Sequence, residues 1–211
     1  MWTPSNRVFG GVTALGGLCT LVATLPSRWL GSRPTDSYVF DPPQFSALWF
    51  ERTVVPAVAV AAALLILAGL LALFRRDRER MARWQRWFAV VAVVGVAVGT
   101  LGTMFVVSAG PGGVADPTAA LNVLLGVGFG LLGLLLALPG LLAWGVGNLR
   151  AGRRRLGTAL AGGPVVTLTV LAANVAGVSF GGVGGLPISL PVALAVGVVG
   201  YDLWESGDGN A

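Results

Sequence analysis

Two sets of residues in this sequence have types and spacings suited to chemistry. Asn122, Pro139, Gly140, Gly163, Pro164 and Asn174 place neutral amides and helix-interrupting residues inside long apolar runs. Helices broken in lipid offer backbone carbonyl and N–H groups to ions or solutes, so these six are the candidate path for a neutral solute, along two kinked helices. The second set is cationic: Arg75, Arg76, Arg78, Arg80, Arg83 and Arg86 in RRDRERMARWQR, and Arg153, Arg154 and Arg155 in RAGRRR. Guanidinium groups at that density suit anionic lipid headgroups or an acidic partner surface.

Other chemistries lack their residues. The chain has no histidine, which removes the commonest metal ligand and the side chain best placed to move protons near neutral pH. Its single cysteine, Cys19, lies in an apolar run, where it reads as a small packing residue with no internal disulfide partner. Between the ends of the apolar runs there is no nucleophile–base pair, carboxylate dyad or metal-ligand set. The connections hold no phosphate loop, zinc pattern or dinucleotide fingerprint. The sequence therefore predicts no catalytic residue, no metal and no cofactor, and a chain that is not an enzyme.

The elements that must position these residues follow from composition. Hydrophobic residues make up 55% of the 211, charged residues 11%, and mean hydropathy is +0.81, values of a protein dissolved in lipid. About 20 apolar residues cross a hydrocarbon core of roughly 30 Å, so the length predicts an all-α, polytopic transmembrane helix bundle of about six spans in a single membrane domain. The spans fall near residues 8–25, 53–74, 87–107, 119–149, 156–178 and 187–203, joined by an outer loop over 27–52 and basic loops over 75–86 and 150–155. Within the outer loop, 44–52 reads as a short interfacial helix after Asp41-Pro42-Pro43. The stretches 108–118 and 179–186 read as turns rich in glycine, the first with two prolines. Pro139-Gly140 and Gly162-Gly163-Pro164 are expected to kink or interrupt the fourth and fifth spans.

Charge sets the orientation. Of the fourteen arginines, eleven fall before the first span or in the two basic loops, and three fall in the loop over 27–52. Basic segments resist translocation, which predicts both termini on the cytoplasmic face of a prokaryotic cell membrane. The net charge of +5 is thereby a feature of topology, and nucleic acid is not an expected partner. Glycines four apart, Gly95 with Gly99 and Gly126 with Gly130, suit close helix approach within the bundle.

These readings converge on a non-catalytic accessory or structural subunit of a membrane complex. A small permease or channel for a neutral solute, using helices four and five, is the alternative. Expected partners are anionic headgroups at the cytoplasmic face and other membrane subunits.

Overall fold

A chain in lipid must satisfy its backbone hydrogen bonds internally, and each apolar run accordingly folds as a helix. The computed structural model describes residues 6–24, 38–40, 45–46, 54–109, 116–177 and 186–206. Its helices are α1 (Asn6–Thr24), α2 (Val55–Asp77), α3 (Arg83–Ser108), α4 (Pro117–Arg150), α5 (Arg154–Val175) and α6 (Leu186–Glu205). Helices α1 to α5 are long and apolar enough to cross a membrane. Helix α6, of 20 residues, runs antiparallel to α1 along its length, from Gly200 beside Gly10 to Ser189, whose hydroxyl accepts from Thr24 at 3.0 Å.

Several boundaries differ from the sequence expectation. Helix α2 continues through Arg75 and Arg76 to Asp77, and α3 begins at Arg83, so the basic loop contracts to residues 78–82. Arginine is a good helix former, and the inward anchoring of Asp77 described below holds that last turn. The expected interruptions at Pro139 and Pro164 are not breaks: both residues lie inside helices, α4 and α5, that continue on either side. Pro164 is buried among its neighbours, and α4 is held through the exposed Pro139 by the contact of Gly140 with Ala92 of α3, so that packing outweighs the tendency of proline to end a helix.

One element beyond the helices is a short antiparallel ladder, β1 (Tyr38–Phe40) with β2 (Phe45–Ser46), pairing Tyr38 with Ser46 and Phe40 with Phe45. The expected interfacial helix over 44–52 thus begins with extended backbone, in keeping with the strand preference of aromatic residues. The rest of the loop over 27–52, the turn residues 110–115, the stretch 178–185 and the tail beyond 206 lie outside the described residues.

The helices form a ring in chain order, each packing antiparallel to the next, with α1 closing against α6. Glycine sets the closest approach. Gly126, Gly133, Gly140 and Gly147 recur every seven residues along α4, and each faces α3. A Cβ on Gly133 would stand 2.5 Å from Gly99 N and 2.7 Å from Gly95 O, and one on Gly140 would stand 2.6 Å from Ala92 N. A seven-residue repeat keeps one stripe facing a partner helix crossing at a shallow angle. Small residues on that stripe allow backbone contact. The expected role of Gly95 and Gly126 in packing within the bundle is realised here. In the same way Gly10 of α1 meets Gly200 and Trp204 of α6, and Gly145 of α4 meets Gly157 and Ala161 of α5.

Candidate functional site

The antiparallel order gathers one set of helix ends: the start of α1, the α2–α3 and α4–α5 connections, and the end of α6. This is the basic end of the bundle. There Arg76 and Asp77 close α2, Arg153 precedes α5, and Asp202 and Ser206 lie at the end of α6. The Arg76 guanidinium spans two carboxylates, with Nε 2.9 Å from Asp77 Oδ1 and Nη2 2.6 Å from Asp202 Oδ2. Arg153 reaches the same pair from the other side, donating through Nη1 to Asp77 Oδ2 and lying 3.4 Å from Asp202 Oδ2. Arg76 Nη1 also donates to Ser206 Oγ at 2.7 Å and to the Asp202 carbonyl at 3.2 Å. Two guanidinium groups and two carboxylates cancel, so the network is neutral. Asp77 is only 2% exposed, and an isolated charge so placed would be strongly disfavoured.

Towards the middle of the bundle, the next turn of α2, α4 and α5 supplies an apolar layer. Leu73 stands one turn before Asp77, Trp144 one turn before Asn148 and Leu156 one turn after Arg153, while Leu203 of α6 follows Asp202 and packs under the network itself. These four are among the most deeply buried large side chains. The Asn148 amide, also buried, donates to the Trp144 carbonyl at 3.0 Å. The indole Nε1 of Trp144 has no hydrogen-bond partner, an omission that ordinarily costs about 1–3 kcal/mol.

One further turn inward lies an apolar cavity of about 140 Å³ to which all six helices contribute. Thr13 comes from α1, Ile66 and Leu70 from α2, Val96 from α3, Leu138 and Leu141 from α4, Leu160, Gly163, Pro164 and Thr167 from α5, and Val196 and Val199 from α6. Its two threonine hydroxyls donate to carbonyls one turn back on their own helices, Thr13 to Phe9 at 2.6 Å and Thr167 to Gly163 at 2.9 Å. From the centre to the basic end, the interior thus reads as cavity, apolar layer and ion network.

Of the six residues proposed from sequence as a solute path, Gly163 and Pro164 line this cavity. Pro139 is exposed on the outer face of α4, while Gly140 is buried against Ala92 of α3. Asn122 lies near the opposite end of α4, and Asn174 is exposed in the last turn of α5, its amide donating to the Val170 carbonyl at 3.0 Å. The six are therefore not brought together. Of the nine arginines, Arg75, Arg78, Arg80, Arg83, Arg86, Arg154 and Arg155 are exposed, and Arg76 and Arg153 turn inward to the network. Arg150 lies 5.9 Å from the ring centre of Trp84, a cation–π contact.

Asp77 and Asp202 are absent from the residues singled out from the sequence, the first lying in the basic loop over 75–86 and the second in the last residues of the span over 187–203. Their signal was an acid within a turn of the end of an apolar run, facing an arginine-rich stretch. Among the described residues no group of His, Cys, Asp and Glu is arranged to hold a metal ion.

The fold and its apolar helices define a multi-pass membrane protein. No family model, curated protein or solved structure matches the chain.

Proposed function

We propose that the chain crosses a prokaryotic cytoplasmic membrane six times, with both termini and the basic end in the cytosol, as a non-catalytic accessory component of a membrane assembly. The carrying observation is the internal matching of buried charge. The charged side chains drawn into the bundle, Arg76, Asp77, Arg153 and Asp202, neutralise one another at one end, and the rest of the interior among the described residues is uncharged, built mainly on glycine contacts and apolar packing with a few buried amides and hydroxyls. Such an interior is suited to holding shape. The arginine excess supports the orientation, and α6, as long as α1 and packed along it, supports the sixth crossing. At the basic end α3 presents Arg83, Trp84, Arg86 and Trp87 outward, Trp87 at 65% exposure, a ledge fitted to headgroups or a neighbouring subunit.

Orientation is tested by thiol labelling of intact cells, with Phe40→Cys or Arg80→Cys introduced alongside Cys19→Ser. Labelling at 40 and protection at 80 is expected; labelling at 80 overturns the orientation. The accessory role is tested by a photocrosslinker placed at Trp87. A discrete adduct with one membrane protein is expected, and a chain that crosslinks to nothing and purifies as a lone monomer refutes the role.

A second reading is favoured by the central cavity: a site for a small uncharged molecule. An apolar cavity of about 150 Å³ in another protein admits benzene or xenon, and this one is about 140 Å³. Under this reading, liposomes carrying the protein pass small neutral solutes faster than empty ones, and Val199→Phe, which adds bulk at the buried cavity wall, abolishes the excess. Equal flux with and without protein removes the reading.

A further inference from the structure

A second concavity lies on the outside of the ring. It has a volume of about 950 Å³, with α1 and α5 as its walls and α6 as its floor. The walls carry Leu18 and Leu21 on one side and Gly162 and Val166 on the other, over Gly197 and Val198. A Cβ at Gly162 or Gly197 would meet nothing within 4 Å, so these glycines do not serve helix contact; they open the groove.

Length and polarity identify what fits. Along α5 the groove runs from Arg155 to Val166, and along α6 from Tyr201 back to Pro191; at 1.5 Å per residue each edge is about 15–17 Å long. That is about half of a hydrocarbon core of roughly 30 Å, the depth of one leaflet. The two polar side chains nearest the basic end, Arg155 and Tyr201, stand at the mouth, and the rest of the lining is almost wholly apolar. Arg155 lies in the first turn of α5, where the helix dipole adds to the attraction for an anion. Its one recorded ion pair, to Glu205 at 3.9 Å between side chains 79% and 62% exposed, is loose enough for a phosphate to share or displace.

From this geometry we infer that the groove between α1, α5 and α6 is a binding site for one anionic phospholipid of the leaflet at the basic end. An acyl chain lies over Gly162 and Gly197, and the phosphate sits at Arg155 and the first turn of α5. A partner helix would need walls along the full depth of the membrane, whereas the α5 wall ends at Val166, about midway along that helix, and only the α1 and α6 walls continue past the midpoint, to Leu21 and Pro191. The inference uses the membrane reading but not the side on which the basic end lies, nor the accessory role.

The test is native mass spectrometry of the full chain in detergent, with phosphatidylglycerol and phosphatidylcholine of identical acyl chains supplied in equal amounts. The wild type is expected to retain one phosphatidylglycerol at least tenfold in preference to phosphatidylcholine. Arg155→Gln should reduce that preference below threefold. Gly162→Leu combined with Gly197→Leu should retain neither lipid while keeping the wild-type melting temperature. Should the paired glycine variant fail to fold, Arg155→Gln, on an exposed side chain, decides alone. Equal retention of the two lipids by the wild type overturns the inference, as does wild-type retention by the glycine variant. A lipid-free dimer that the same variant splits into monomers also overturns it, by assigning the groove to a second copy.

Discussion

Replacing Asp77 by asparagine keeps the side chain's size and removes one charge from a neutral cluster of four. The Asp77 side chain is 3% exposed and is held by Arg76 at 2.9 Å and by Arg153. After the change two guanidinium groups share the single carboxylate of Asp202, and the network carries an uncompensated positive charge. Breaking a buried pair in this way costs about 3–5 kcal/mol. The lower end applies here, about 3 kcal/mol, because the Arg153 side chain is 33% exposed and can recover hydration. Asp202→Asn should cost less, about 1–2 kcal/mol, since that carboxylate is 27% exposed and keeps more of its water. Adding Arg153→Gln to Asp77→Asn restores neutrality, so the double variant should be more stable than the sum of the singles by at least about 1 kcal/mol. Arg155→Ala, at the loose pair with Glu205, should change stability by less than about 0.5 kcal/mol. Reversible unfolding in mixed micelles with increasing sodium dodecyl sulfate, followed by tryptophan fluorescence, gives all these values. An Asp77→Asn protein within about 0.5 kcal/mol of wild type, or a strictly additive double variant, refutes the claim that charge neutrality holds this end together.

Other substitutions probe the remaining layers. Gly133→Ala places a methyl group 2.5 Å from Gly99 N and should cost about 2 kcal/mol by forcing α3 and α4 apart; Gly128→Ala on the same helix meets nothing within 4 Å and should stabilise by up to about 1 kcal/mol, both read by the same unfolding assay. Trp144→Phe removes the unpartnered buried N–H and should be nearly neutral, whereas Trp144→Ala should cost about 3–5 kcal/mol; equal losses would show that the N–H finds a partner. Hydrogen bonds from the Thr118 hydroxyl and backbone N–H hold the Asp116 carboxyl below the usual carboxylate range at the start of α4. A carboxyl depressed on folding contributes stability above its unfolded value and loses it as pH falls through the folded one. Melting temperature should therefore drop on acidification below that range, and Asp116→Ala should flatten this part of the profile.

Much of the helical architecture was legible because apolar runs in lipid have few alternatives to helix. The ends were less so. Arg75 and Arg76 look like loop residues when counted as charge, and only the placement of Asp77 and Asp202 shows that the helix continues and turns one of them inward. Arg76 and Asp202 are 126 residues apart, a pairing that depends on which helices the ring brings together. Proline was overread for the converse reason: Pro139 and Pro164 interrupt local propensity, yet the packing around α4 and α5 outweighs it. Glycine was underread. The four-residue spacings drew attention, while the seven-residue repeat from Gly126 to Gly147 that shapes the α3–α4 contact was equally visible in the sequence.

The two kinds of contact divide the work of the ring. Glycine stripes bring helices adjacent in the ring into backbone contact, α3 with α4, α4 with α5, and α1 with α6, and such contacts say little about helices across the ring. The ion network joins α2 to α6, which are not neighbours in chain order but also touch through the core, and joins both to the start of α5. It is the polar tie that spans the circle. Placing it at the helix ends suits long arginine side chains, which can reach towards the interface while their carboxylate partners stay buried. The same four charges at mid-depth would have no such access to water, and the cavity there is lined instead by aliphatic groups and by two threonines bonded to their own helices. Stability across the ring is therefore concentrated at one end, and a loss of charge balance there should loosen α6 from α2 before it disturbs the glycine-packed pair α3 and α4.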